Sequence, residues 1–394
     1  MKFGLRRWLQ SPQSVKSVLV IAILAVFFSA AGLTFAASNL ASEIRAGSAI
    51  LVDYQTGQIL FEKNAYRRMG IASLTKIMTL LLAVEMVEQK KIRLTDVVTI
   101  SDYAASMDGT ILEVKAGDKI TVKDLLYSAA LISANDSAVA LAEYIAGSEP
   151  AFAGMMTARA RDLGLKDTQF QDATGIRGSW DGSYSTAYDV AQLTRVALKY
   201  PLFARLVSTK QAKLAYQDVS LSNSNLLLGT FKGADGVKTG FTSEAGHAFV
   251  GSATREGRRL IAVVLDEDTR RDRWNDAEKL LNYGFEHFIN VVVREGETVA
   301  RSQVDNGRYA GVPLIAKRSV ATLTHKDDDG LFEKVVMLTK TPQAPIKKGQ
   351  SIGRLVVKKD GKVIGQTDLV AGQRVPRAGV LFKIWRWLYT LITG

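Results

Sequence analysis

The sequence predicts an α+β fold in the broad α/β class, an antiparallel sheet flanked by helices, followed by a small all-β domain. Three observations predict it. A hairpin pattern opens the body of the chain, and three strand-like runs stand together near residues 236–265, with helix-period segments filling the interval between. Beyond Asn290 the texture changes to short β-rich runs separated by turn signals. The chain has 394 residues, enough for two domains with a sizeable core.

The first 36 residues stand apart from the fold. Lys2, Arg6, Arg7 and Lys16 form a basic stretch without an acid, and Val18 to Phe28 is uninterruptedly apolar. Thr34 and Ala36 sit at −3 and −1 of a cleavage site before Ala37. This reads as a secretory signal peptide, or as an uncleaved anchor, and in both cases the body lies outside the cytoplasm. The chain has no cysteine, so disulfides, zinc-thiolate sites and cysteine nucleophiles are excluded. The net charge of +12 fits anionic lipid headgroups or wall polymers, and export argues against nucleic acid as the partner.

The catalytic-size region runs over residues 37–290. Ser48-Ala-Ile-Leu-Val-Asp53 and Gln58-Ile-Leu-Phe-Glu62 flank a Tyr54–Gly57 turn and read as a hairpin. Ile71-Ala-Ser-Leu-Thr-Lys76 leads into Leu80–Val84 at helical spacing, which places Ser73 and Lys76 on one face of a buried helix. That pair reads either as a cap and a snorkelling lysine or as a reacting couple. Residues 122–147 look helical around a polar Ser133-x-Asn135 break, which is a self-capped junction or a set of polar groups aimed at a ligand. Helices follow over Phe152–Leu163 and from Thr186-Ala-Tyr-Asp189, a capping-box pattern, to about Tyr200. Gly236–Thr242, His247–Thr254 and Leu260–Leu265 read as strands, and Trp274–Phe288 as the last helix.

Residues 291–375 read as the small β-rich domain, with strands at Val291–Arg294, Lys334–Leu338 and Ile352–Val357. In the last segment, 378–394, Lys383, Arg386, Thr390 and Thr393 share one stripe of an otherwise apolar helix. It is too short to span a bilayer and reads as an amphipathic helix in the membrane interface, or as a helix docked on its own protein.

Three motifs carry chemistry. Ser73-x-x-Lys76 is the only such pattern in the chain, Ser133-x-Asn135 follows sixty residues later, and Lys238-Thr-Gly240 interrupts an apolar strand. In this order and spacing they resemble the motif set of the penicillin-recognising serine enzymes. The flanks Leu51–Gly57, Leu163–Thr168 and Ser185–Asp189, and the layout as a whole, resemble the low-molecular-mass D-alanyl-D-alanine carboxypeptidases, peptidase family S11. The resemblance implies a β-lactamase/transpeptidase-like catalytic domain, no cofactor and no metal. It implies as partners a peptidoglycan pentapeptide, β-lactam inhibitors and, through the tail, the outer face of the cytoplasmic membrane. Ser73 would be the nucleophile, Lys76 its base, and Ser133 a proton relay. Asn135 would hold the substrate amide, Lys238 and Thr239 its terminal carboxylate, and Gly240 its backbone. The N–H groups of Ser73 and Phe241 would form the oxyanion hole. Three departures stand out: Ile71 where relatives often have proline, Ala134 where many have glycine, and Phe241 in place of a residue that is often polar.

The rival readings have less support. A Ser-His-Asp hydrolase would draw on His247, His287 or His325, and no Gly-x-Ser-x-Gly surrounds a serine. His247 either lines the site or packs at a strand edge, and His325 adjoins the acidic Lys326–Asp329 turn. A class A β-lactamase needs a glutamate to activate water, and only Glu143 and Glu149 lie between Asn135 and Lys238. A non-catalytic, penicillin-sequestering protein would be favoured by loss of Lys76 or Lys238, and both are present.

Overall fold

The computed structural model describes residues 40–176, 182–325, 332–338, 340–359 and 361–379. The signal-like N-terminal stretch, the Lys326–Asp329 tract and all but the first two residues of the amphipathic tail lie outside the described residues. The chain divides into two compact units, one ending at Glu286 and one beginning at His287.

The first unit is built on five antiparallel strands: β1 (Ser48–Asp53), β2 (Ile59–Lys63), β3 (Ala234–Thr242), β4 (Gly246–Arg255) and β5 (Arg258–Glu267). Their spatial order is β2-β1-β5-β4-β3, so the hairpin at the start of the chain pairs with the last strand of the downstream meander. Alternation divides the strands between two faces. Ile50, Val52, Val250, Ile261 and Val263 join the large helical core. Leu51 and Leu260 point the other way, towards Gly284 of the closing helix, and Phe249 packs edge-on against Trp274 at 4.6 Å.

The helices on the large face are α1 (Lys76–Glu88), α2 (Val122–Leu131), α3 (Asn135–Ala146), α4 (Glu149–Asp162), α5 (Ala187–Ala197) and α6 (Pro201–Ser208), and α7 (Asp272–His287) covers the other. Helix α1 is buried on every side from Lys76 to Glu85, as an all-round apolar helix must be. The stretch 122–147 is two helices rather than one. They break at Ile132–Ala134, where Ser133 adopts a left-handed φ of +69°. Helix α4 begins three residues before the predicted Phe152, because Ser148 caps Ala151 N–H and Pro150 suits the first turn. At α5 only half of a capping box forms. Thr186 Oγ1 accepts Asp189 N–H at 3.0 Å, while Asp189 Oδ2 accepts instead from Asp167 N–H and Thr168 Oγ1. That carboxylate stitches the loop after α4 to the start of α5.

The second unit holds an antiparallel five-stranded sheet in the order Thr298–Gln303, Gly311–Ala316, Lys362–Ala371, Ser351–Lys359, Phe332–Leu338. Phe288–Val293 and Val320–His325 form a separate antiparallel pair. Val304, Leu314, Leu355, Leu369 and Val375 make its own core. No helix among the described residues is long and apolar enough to cross a membrane.

Candidate active site

Ser73 does not lie in the α-helix proper. Ala72–Thr75 form a 3-10 turn that runs directly into α1 at Lys76, and Ala72 enters it with φ +46°. The turn is held from two sides. Strand β3 presses against it at Gly240, where an added Cβ would lie 3.0 Å from Ile71 O and 3.3 Å from Leu74 N. Gly175 lies against the Ala72 carbonyl from the other side. The glycine of Lys238-Thr-Gly240 therefore has a packing reason, close approach of strand to turn.

Lys76 is fully buried, so it does not snorkel. Its Nζ reaches three oxygens: Asn135 Oδ1 at 2.7 Å, the Thr174 carbonyl at 2.9 Å and Ser73 Oγ at 3.1 Å. A neutral amine has two N–H groups and one lone pair. Asn135 and Thr174 offer only acceptors to it, so they absorb both N–H groups and leave the lone pair facing the Ser73 hydroxyl. Burial lowers the Lys76 pKa to about 7, against the opposing pull of Asp172, Asp136 and Glu149. The arrangement can draw a proton from Ser73 near neutral pH.

Asn135 is largely committed inside the protein. Its Oδ1 takes Lys76, its Nδ2 donates to Asp108 O at 2.7 Å, and its backbone N–H donates to Thr110 O at 2.8 Å. One N–H and one lone pair of the carboxamide remain for a ligand. Ser133 Oγ is buried and has no hydrogen-bond partner among the described residues. A left-handed non-glycine residue with an orphaned hydroxyl costs stability and is characteristic of functional positions.

Lys238 is also fully buried, and its Nζ donates to the Thr239 carbonyl at 3.1 Å. Burial, then the charges of Lys76 and Arg273, push its pKa well below the usual lysine value. The like-charge effect thus falls on Lys238, whereas Lys76 is lowered by burial. Thr239 Oγ1 pairs with Ser224 Oγ at 3.1 Å. Phe241 is exposed and stacks on His247 with ring centroids 4.2 Å apart. His247 has its pKa lowered by burial and by the Arg273 and Arg270 charges, so it serves as a neutral packing surface at this edge.

Four participants were not legible from the motifs: the Asp108 and Thr174 carbonyls, Ser224 and Arg273. Backbone carbonyls carry no side-chain signal. Thr174 sits in an Asp172-Ala-Thr-Gly turn whose carboxylate accepts from Thr174 N–H, Thr174 Oγ1 and Gly175 N–H, and that turn composition was the available clue. Arg273, from α7, donates to Gly240 O at 3.1 Å, and nothing in its sequence surroundings marks it. Among the described residues no group of three acidic or histidine side chains could hold a metal.

The antiparallel sheet with its flanking helices, and a half-buried Ser73 beside the fully buried Lys76 at the foot of α1, place this chain in the class of penicillin-binding serine hydrolases. Residues 34–269 match the family described as D-alanyl-D-alanine carboxypeptidase, and residues 290–377 match the C-terminal domain of penicillin-binding protein 5. The chain belongs to the D-alanyl-D-alanine carboxypeptidase family. It is 35% identical to D-alanyl-D-alanine carboxypeptidase DacF of Bacillus subtilis, with 93% of this chain and 95% of that protein aligned. It is also 35% identical to DacC of Escherichia coli over 88% of each chain. Among solved structures, penicillin-binding protein 5 of Haemophilus influenzae is 32% identical with a TM-score of 0.66, covering 85% of this chain and 98% of that one. The ampicillin-bound form of penicillin-binding protein D2 from Listeria monocytogenes is 32% identical with a TM-score of 0.57, covering 61% of this chain and 97% of that one.

Proposed function

We propose that this enzyme removes the terminal D-alanine from peptidoglycan stem peptides through an acyl-enzyme on Ser73. The observation that carries the reading is the Lys76 amine, fully buried, with two acceptors and the Ser73 hydroxyl around it. Ser73 Oγ attacks the carbonyl of the penultimate D-alanine, and its proton passes to Lys76 Nζ. The N–H groups of Ser73 and Phe241 receive the oxyanion, each donor contributing about 3 kcal/mol to the transition state. As the C–N bond breaks, Ser133 relays the proton from Lys76 to the leaving amine. Water then attacks the ester, giving a proton to Lys76, and Ser73 regains its hydrogen. A β-lactam acylates Ser73 by the same first step.

Lys238 and Thr239 receive the substrate carboxylate. An arriving anion favours the Lys238 ammonium, and that charge in turn helps to keep Lys76 neutral. Export by residues 1–36 and attachment to the outer face of the cytoplasmic membrane by residues 378–394 belong to the same proposal, and rest on their basic-apolar and amphipathic patterns.

The test is release of free D-alanine from a peptide ending in Lys-D-Ala-D-Ala, beside the same peptide ending in L-alanine. Release from the first and none from the second supports the proposal. No release from either ends the carboxypeptidase reading.

A further inference from the structure

Ser224 lies outside the three motifs, on the loop between a short strand at Ser220–Ser222 and a helical turn at Leu227–Thr230. The loop is pinned on several sides. Ser224 N–H donates to Leu131 O at 2.9 Å, at the end of α2 and two residues before Ser133. Asn223 N–H donates to Lys210 O at 2.7 Å, and its Nδ2 donates to Thr209 O at 2.9 Å. Asn225 closes the turn, donating its N–H to Asn223 Oδ1 and accepting Leu227 N–H on Oδ1. A serine hydroxyl is thereby fixed 3.1 Å from Thr239 Oγ1, and among the described residues the two hydroxyls have this hydrogen bond with each other.

The direction of that bond matters. A hydroxyl has one proton to give and two lone pairs. If Thr239 donates to Ser224, its only proton is used up and it faces an incoming carboxylate with lone pairs. If Ser224 donates to Thr239, the Thr239 proton turns to the carboxylate, and the chain of hydroxyls strengthens the outer bond. We infer that Ser224 is a positioning residue for carboxylate recognition: its hydroxyl donates to Thr239 Oγ1 and so aims the Thr239 proton at the C-terminal carboxylate of the substrate. This rests on the reading of Thr239 given above. Ser224 thus sets the preference for a free acid terminus without touching the reacting atoms.

The experiment compares a peptide ending in D-Ala-D-Ala with its C-terminal carboxamide, using the full chain and measuring D-alanine and D-alaninamide release. Ser224→Ala should lower the acid-to-amide ratio of kcat/KM about fivefold, the weight of one neutral hydrogen bond, mainly through KM for the acid. Ser224→Thr should restore most of the ratio. Thr239→Ala should lower the ratio at least as far, and Ser224→Ala on that background should add nothing. A Ser224→Ala ratio equal to that of the parent, no recovery with threonine, or a further loss in the double variant would overturn the inference. If Thr239→Ala itself leaves the ratio unmoved, the carboxylate role of Thr239 fails first and the inference falls with it.

Discussion

Lys76→Met should lower the rate of acylation by penicillin by about a thousandfold or more, within the range that loss of a general base causes. Methionine keeps most of the length of the side chain and its apolar burial, but its thioether is not a base and cannot take the Ser73 proton. The pH profile should identify the same group. With a pKa of about 7, Lys76 becomes neutral as pH rises, so the parent's acylation rate should climb roughly tenfold per unit below pH 7 and level off above it. The residual rate of Lys76→Met should lose that slope. Linkage gives a second signature. Between about pH 7 and the ordinary lysine value of 10.5, the unfolded chain holds a proton that the native protein does not. The Lys76 contribution to stability therefore rises with pH across that window and is smallest below it. Stopped-flow acylation and denaturant titration at several pH values measure both. A parent profile flat from pH 5 to 9 would contradict the role of the amine.

Gly175→Ala should damage both stability and activity although the residue carries no functional group. Its φ is +82°, and an added Cβ would lie 1.9 Å from the Ala72 carbonyl oxygen and 2.5 Å from its carbon. The left-handed conformation costs an alanine about 1–2 kcal/mol, and overpacking against backbone adds about 1–3 kcal/mol. For a unit of this size the melting temperature should fall by roughly 5–15 °C. The atoms that must yield belong to the residue before Ser73, and a displacement of about 1 Å at a reacting group costs about a hundredfold in rate. Calorimetry and penicillin labelling check the two effects. A variant with parental melting temperature and labelling would show that the Ala72–Gly175 contact does not set the serine.

How much of this was legible in the sequence depends on what kind of group acts. Ser73, Lys76, Ser133, Asn135 and Lys238 are side chains of unusual polarity in apolar surroundings, and the motif order made them visible. The sheet was legible because its strands are apolar runs with turn signals. Their ends were not: β5 begins at Arg258 and β3 at Ala234, where paired charges hide the strand pattern. Arg259 reaches Asp235 at 2.8 Å across that end of the sheet. The break in 122–147 was visible as polarity, but its left-handed Ser133 follows from tertiary packing that no local propensity encodes. The Thr174 and Asp108 carbonyls are backbone groups whose residue type is nearly arbitrary. In the second unit the strand at Thr298–Gln303 is half polar and alternates weakly, and the one at Gly311–Ala316 carries Pro313, a residue that argues against a strand when read from sequence.

The most direct test of the account is to trap the acyl-enzyme. The full chain is incubated with benzylpenicillin, digested, and the adduct located by mass spectrometry, beside Ser73→Ala. The account predicts one penicilloyl group on Ser73 and no adduct on the variant. An adduct on Ser133, Ser224 or any other residue, or labelling that survives Ser73→Ala, would contradict it.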